Sequence, residues 1–224
     1  MGMGALHRVK RQSMRKVFIL VDSIYRMALR EKHIFNPEDS SLLSDQELLI
    51  QAKEEPEVFG VLMARYEAPL RRYLMRLTGW GNEEVSDMLQ EAFIKMYRHL
   101  NDFDEELKFS TWAYRITHNQ AIDTLRSVEA RPFLTQVALD QVEQFIPATT
   151  DIEGAFLRQD DLEQVREAIL SLPLPYRDVL VLRFLEEKTY EEIVDILKKP
   201  KGTIATLIRR GRTLMLERLA QKPS

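Results

Sequence analysis

The chain contains no cysteine, which excludes disulfides, a thiolate nucleophile and any Cys-ligated zinc or iron–sulfur centre. Histidine is scarce, and His7, His33, His99 and His118 are too scattered to read as a metal-binding cluster. Long apolar runs are missing as well. The longest near the N-terminus is Val17–Val21, far short of a signal-peptide core or a membrane span. No window keeps a period-two alternation for long, and no sequence repeat of fixed period occurs. Neither a Gly-rich phosphate loop nor paired carboxylates beside a histidine is found, which leaves an enzyme acting on nucleic acid poorly supported. What is present is 224 residues, 45% hydrophobic and 30% charged, enough for one large domain or two small ones and below the disordered regime. These counts predict a soluble, cytoplasmic protein without metal, cofactor or membrane insertion.

The net charge of −3 argues at first against a nucleic-acid binder, but the charge is unevenly placed. Met1–Lys32 carries eight Lys/Arg against Asp22 and Glu31, a balance of +6. Lys198–Arg218 carries seven against Glu217, again +6. Between them, Glu186–Leu197 holds five acids and only Lys188. Such sign asymmetry fits a local nucleic-acid footprint on an acidic protein, and equally a set of solvated faces.

The periodicity is helical throughout. Ser44–Glu47 reads S-x-x-E, a capping box opening a short helix through Ala52. A second helix follows Pro56, with Phe59, Leu62, Met63, Tyr66, Leu70, Tyr73, Leu74 and Leu77 at three- and four-residue steps, until Gly79-Trp80-Gly81. Val85, Met88, Leu89, Ala92, Phe93, Met96 and Leu100 stripe a third, and a fourth is predicted over about Ser110–Ser127. Residues 128–157, with Pro132, Pro147 and more acids than bases, read as a linker. Residues 158–220 then form a second small helical unit.

In that unit Thr189-Tyr-Glu-Glu192 is another capping box, and Lys198–Gly202 separates two short helices in the layout of a helix-turn-helix. Thr203 is placed to cap the second. On a wheel, Ile204, Leu207, Ile208, Gly211, Leu214 and Met215 face inward. Thr206, Arg209, Arg210 and Thr213 face out, with Arg212 at the edge, as a recognition helix requires. An ordinary amphipathic hairpin shares the pattern. The preceding acidic helix is expected to face away from DNA or toward a protein partner.

Two faces of the first unit stand out. Opposite the third helix's apolar stripe lie Asp87, Gln90, Glu91, Ile94 and Arg98, and Ile94 reads as an exposed apolar residue suited to a protein contact, or as an unremarkable surface side chain. Around the fourth helix, Phe103, Lys108, Phe109, Trp112, Tyr114, Arg115, His118, Asn119 and Arg126 interleave rings with bases and amides, as in proteins that hold single strands. Phe109 and Trp112 read as core, whereas Tyr114 and His118 fit either core or surface.

At this point the residues resemble a known family. Asp87-Met-Leu-Gln-Glu-Ala-Phe-Ile-Lys-Met-Tyr97, Phe109-Ser-Thr-Trp-Ala-Tyr-Arg-Ile116 with Asn119, and Asp123-Thr-Leu-Arg126 are similar to region 2 of bacterial sigma factors. Leu172-Pro-Leu-Pro-Tyr-Arg-Asp-Val-Leu180, Tyr190-Glu-Glu-Ile193 and Gly202-Thr-Ile204 resemble region 4. With a linker in place of a further domain, the chain resembles the extracytoplasmic-function (ECF) group over about 44–220.

The resemblance implies an all-α fold of two small helical domains, a region 2 bundle (44–127) and a region 4 helix-turn-helix (158–220), joined by a flexible linker. It implies a sigma factor that binds core RNA polymerase and directs promoter recognition, DNA melting and transcription initiation. Asp87, Gln90, Glu91 and Ile94 would bind the β′ clamp helices. Phe103, Lys108, Ser110, Thr111, Trp112, Tyr114, Arg115, His118, Asn119 and Arg126 would melt and hold the −10 strand. Lys201, Thr203, Thr206, Arg209, Arg210, Arg212 and Thr213 would read the −35 element, and region 4 would also meet the β flap. An anti-sigma factor is an expected partner.

Two departures stand out. Ala205, Thr206 and Leu207 occupy positions where the family commonly carries bases, and residues 1–43 have no family counterpart, reading as a basic arm, a tether, or an over-long start with Met14 as the internal alternative. The competing function is a helix-turn-helix regulator that acts without core polymerase.

Overall fold

A computed structural model describes residues 43–129 and 159–220, so the expectations for 1–42 and for the linker residues 130–157 lie outside the described residues. Eight α-helices are found there: α1 (Asp45–Glu54), α2 (Phe59–Thr78), α3 (Asn82–Arg98), α4 (Phe109–Glu129), α5 (Gln159–Leu170), α6 (Leu174–Leu180), α7 (Tyr190–Leu197) and α8 (Lys201–Ala220). No strand occurs among the described residues.

Helix starts follow local chemistry. Ser44 Oγ accepts the Glu47 amide at 3.3 Å while the Glu47 carboxylate accepts the Ser44 amide at 2.7 Å, closing the predicted box and holding the Glu47 carboxyl below its usual range. Thr189 and Glu192 repeat the device at α7. α2 ends at Gly79, whose φ of +73° is the left-handed conformation glycine adopts without steric cost.

The first lobe wraps α1–α4 around Leu62, Leu70, Tyr73, Leu74, Leu77, Leu89, Phe93 and Met96, all fully buried. α3 packs against both α2 and α4. That sandwich widens its buried face, and it corrects one expectation: Ile94 is not a surface residue but only 3% exposed, within the core cluster.

The second lobe packs α8 against α5, α6 and α7 around Val179, Leu180, Ile193, Ile196, Ile204 and Ile208. Its predicted inward stripe is observed, with Gly211 also buried. A Cβ at Gly211 would lie 3.2 Å from Leu180 and 3.3 Å from Tyr176, so glycine permits the close approach of α8 to α6. The turn between α7 and α8 differs from the expectation. α8 already begins at Lys201, so Gly202 and Thr203 lie in its first turn, and the left-handed residue is Lys198 at φ +51°.

α6 runs into a π-turn over Val181–Leu185, closed by the Glu186 amide donating to the Val181 carbonyl at 3.0 Å. Glu187 follows at φ +53°. The two lobes are not held apart: α4 lies against α7, and α2 lies against the π-turn and α5. Residues 128 and 129, expected in the linker, belong to α4.

Candidate functional site

The third-helix face divides once α3 is sandwiched. Asp87 and Glu91 are exposed and Gln90 is half-buried, giving an acidic patch one helical turn apart, while Ile94 turns inward beneath it. The patch is therefore polar, without the apolar anchor the sequence suggested.

The aromatics of the fourth-helix set form a packed cluster. Phe103 and Trp112 stand edge-to-face at 5.2 Å, Tyr66 meets Phe109 edge-to-face at 5.0 Å, and Phe109 lies tilted against Trp112 at 5.7 Å. All three of Phe103, Phe109 and Trp112 are buried, as is Thr111, so these side chains shape the lobe from inside. Of the same set, Lys108, Asn119 and Arg126 are exposed, and Ser110 and Arg115 half-buried. Arg115, Asn119 and Arg126 recur at four- and seven-residue spacing along one face of α4, a line of donors suited to a phosphate backbone.

Tyr114 and His118, open between core and surface in the sequence, are buried at the seam between the lobes. The Tyr114 hydroxyl donates to Glu186 Oε2 at 2.7 Å, and the Lys188 ammonium sits 4.1 Å from the centre of its ring. Burial, and then the Glu186 carboxylate, raise the Tyr114 phenol. Burial also lowers Lys188. His118 Nδ1 lies 2.9 Å from the Tyr73 hydroxyl, and its Nε2 lies 4.0 Å from Asp178 Oδ2. Burial brings His118 down to about 4, with Lys199 and Arg126 adding to the effect. Burial pushes Asp178 up to about 7 against the pull of Lys199 and Arg177. Asp178 Oδ1 is buried without a hydrogen-bond partner among the described residues.

Sequence reasoning missed the other seam residues. Arg76 donates to Glu186 Oε1 at 2.8 Å and to the Leu185 carbonyl, and Arg177 donates to the Leu77 carbonyl at 3.1 Å. Glu192, also missed, accepts from Lys108 of the predicted strand-binding set at 3.3 Å. The sign reversal at Glu186–Leu197 was the visible signal, and the acidic stretch packs against the first lobe.

On α8, Lys201, Thr203, Thr206, Arg209 and Arg210 are exposed, and Arg212 and Thr213 half-buried. The Thr206 hydroxyl donates to the Gly202 carbonyl at 2.9 Å and the Thr213 hydroxyl to the Arg209 carbonyl at 3.3 Å, leaving their oxygens as acceptors outward. Lys201 pairs with Glu191 at 2.7 Å, across the helix-turn-helix, and this raises its ammonium. No helix among the described residues is long and apolar enough to cross a membrane.

Compared with known proteins, residues 62–131 match the family Sigma-70 region 2, and residues 162–215 match the family Sigma-70, region 4. The chain is 33% identical over 172 residues to the ECF RNA polymerase sigma factor SigW of Bacillus subtilis (strain 168), covering 75% of this chain and 91% of that protein. It is 34% identical over 179 residues to the ECF RNA polymerase sigma-E factor of Escherichia coli (strain K12), covering 77% and 93%. Among solved structures, its fold is similar to CnrH in complex with the cytosolic domain of CnrY, with a TM-score of 0.59, 24% identity, and 80% of this chain and 99% of that chain covered. The sigma factor RpoE in complex with the anti-sigma factor NepR from Bartonella quintana shares the fold at a TM-score of 0.54 and 18% identity, covering 74% and 98%.

Proposed function

The chain belongs to the ECF RNA polymerase sigma factors, which bind core polymerase and direct transcription initiation at promoters, and from that premise we propose which of its residues do so. Residues 44–129 act as the core-binding and −10 module, and 159–220 as the −35 module. The carrying observation is the presence of both modules, in order, in one chain that matches its relatives over more than nine-tenths of their length.

The exposed acidic patch of Asp87, Gln90 and Glu91 takes the polymerase β′ clamp helices, with buried Ile94 setting the position of α3 beneath it. Lys108, Arg115, Asn119 and Arg126 track the non-template strand at the −10 element. Phe103, Thr111 and Trp112 hold that face in shape, and Ser110, Tyr114 and His118 receive unstacked bases when the seam is open. Capture of extruded bases offsets the few kcal/mol that unstacking costs. On α8, Thr206, Arg209 and Arg210 reach the −35 major groove, while Lys201, Thr203, Arg212 and Thr213 fix its register on phosphates. A good Arg–guanine pair is worth about 1–3 kcal/mol of discrimination. The same module meets the polymerase β flap, and an anti-sigma factor binds the two modules. The protein works in the cytoplasm and performs no covalent step, which belongs to polymerase.

Reconstitution with core polymerase tests this reading. Promoter-dependent transcripts are expected, and Glu91→Lys should lower core binding. Failure of the intact chain to bind core would overturn it. Tight site-specific binding of duplex DNA by the free chain, with no response to core, would favour the regulator that acts alone.

A further inference from the structure

A short loop joins α3 to α4 between Phe103 and Lys108, two members of the set assigned to the −10 strand. Phe103 is buried against Phe109 and Trp112, and Leu107 is half-buried against the same core. The tip between them, Asp104, Glu105 and Glu106, is exposed, so core packing does not fix it. The Leu107 amide donates to the Asp104 carbonyl at 3.0 Å and the Glu106 amide to Asp104 Oδ1 at 3.0 Å. These bonds shape the turn without deciding where it lies. Its place is decided from α1. Gln46 Nε2 donates to the Glu105 carbonyl at 2.7 Å, and Lys53 Nζ donates to Glu105 Oε1 at 2.7 Å. Gln46 and Lys53 are seven residues apart, so one face of α1 supplies both ties. The same helix lies against Leu100–Asp102, where the loop begins. A second route links its first turn to the strand face. The Tyr66 hydroxyl donates to Asp45, and Tyr66 also hydrogen-bonds Ser110 and meets the Phe109 ring.

We propose that Gln46 and Lys53 are positioning residues for −10 recognition, holding the Asp104–Glu106 tip at the strand face and so setting discrimination among −10 bases. The proposal rests on the strand-binding reading of α4 and its preceding loop given above. Neither side chain needs to touch the strand, since each acts through Glu105. Magnitude favours this role over a structural one. The Lys53–Glu105 pair is open to solvent, with the Glu105 side chain 61% exposed, and such pairs add little to folding stability. Selectivity is more demanding, because a reading group must be held to within a fraction of an ångström by the contacts behind it. The ties also differ in kind. Gln46 fixes the backbone and carries no charge, whereas Lys53 fixes the side chain and cancels one of three neighbouring carboxylates. A shared effect of losing either therefore reports loop position rather than local charge.

Holoenzyme reconstituted from the full chain and core polymerase carries the test, on a promoter recovered from its own transcripts. Affinity is measured for that promoter and for single-base changes in its −10 and −35 elements. Gln46→Ala and Lys53→Met should each narrow the affinity ratio between parent and altered −10 sequences by about three- to tenfold. The −35 ratios, core binding and melting temperature should stay those of the parent chain. Lys53→Arg keeps the pair and should keep the ratio, and the exchange Lys53→Glu/Glu105→Lys should restore it. Asn119→Ala/Arg126→Ala, on α4 itself, is the reference and should lower promoter affinity without altering core binding. Unchanged −10 ratios in Gln46→Ala and Lys53→Met beside an effective reference overturn the proposal and leave the reading of α4 standing. No loss in the reference overturns that reading and the proposal with it. Equal losses at −10 and −35 overturn the proposal by tracing the effect to folding. Failure of the exchange to rescue overturns it by assigning Lys53 to the strand phosphates directly.

Discussion

Replacing either member of the His118–Asp178 pair should expose a pH dependence of stability that the intact pair hides. Between pH 4 and 6.5 the unfolded chain ionises Asp178 and protonates His118, so the two groups together hold one proton. In the folded chain burial reverses the assignment, with Asp178 near 7 and His118 near 4, and again one proton is held. Lys199, Arg177 and Arg126 act on the pair electrostatically, and the Tyr73 hydroxyl bonds the imidazole. Equal proton counts give no slope.

Asp178→Asn leaves only the depressed histidine, so stability is full above pH 6.5 and is lost as pH falls toward 4, by up to about 1.4 kcal/mol per unit. His118→Gln leaves only the raised carboxyl. Its stability is greatest below about 3.8 and is lost as pH rises through 7, by at most about 4 kcal/mol in all. Urea unfolding followed by far-ultraviolet circular dichroism across this range, with each variant compared to the intact chain, reads both slopes. Two variants as flat as the parent would refute the shared-proton account.

Ile94→Lys should unfold the first lobe rather than merely weaken polymerase binding, costing more than about 3 kcal/mol because an unpaired charge enters the core, as thermal melts would show. Gly211→Val should destabilise the second lobe by about 1–3 kcal/mol through overpacking against Leu180 and Tyr176, measurable by the same melts. Arg209→Ala/Arg210→Ala should reduce promoter-dependent transcription without changing core binding, and should relax discrimination at the −35 bases by about 1–3 kcal/mol per lost base contact, measured as holoenzyme affinity for promoters with altered −35 sequence.

The parts of the fold legible in the sequence are those decided within a few residues. Ser44 with Glu47 and Thr189 with Glu192 announce their helices because each box closes locally. The inward stripe of α8 is equally plain, since burial of Ile204, Ile208 and Met215 follows the helical period. Ile94 was not legible, because its burial depends on α3 being covered from two sides by helices distant in sequence. Nor was the seam: Arg76 and Glu186 lie 110 residues apart, and no spacing rule pairs them. The start of α8 was misplaced because Lys198, rather than a glycine, adopts the left-handed turn conformation. Among the candidate site residues, the exposure of Arg126 on α4 and of Lys201, Arg209 and Arg210 on α8 followed from charge and period. The fate of Tyr114 and His118 depended on a second lobe that periodicity could not position.

The π-turn at Val181–Leu185 sets a rotational phase. A turn that closes five residues back inserts one residue into the helical count, and one residue of an α-helix corresponds to about 100° of rotation. Deleting exposed Phe184 together with the π-turn would leave Glu186 in phase, whereas ordinary winding of all the same residues would swing it by that angle, away from Arg76 and Tyr114. The lobe would keep its helices and its recognition surface yet present the wrong side of its acidic stretch to the first lobe. A single residue thus acts as the angular gauge by which one half of the molecule is indexed to the other.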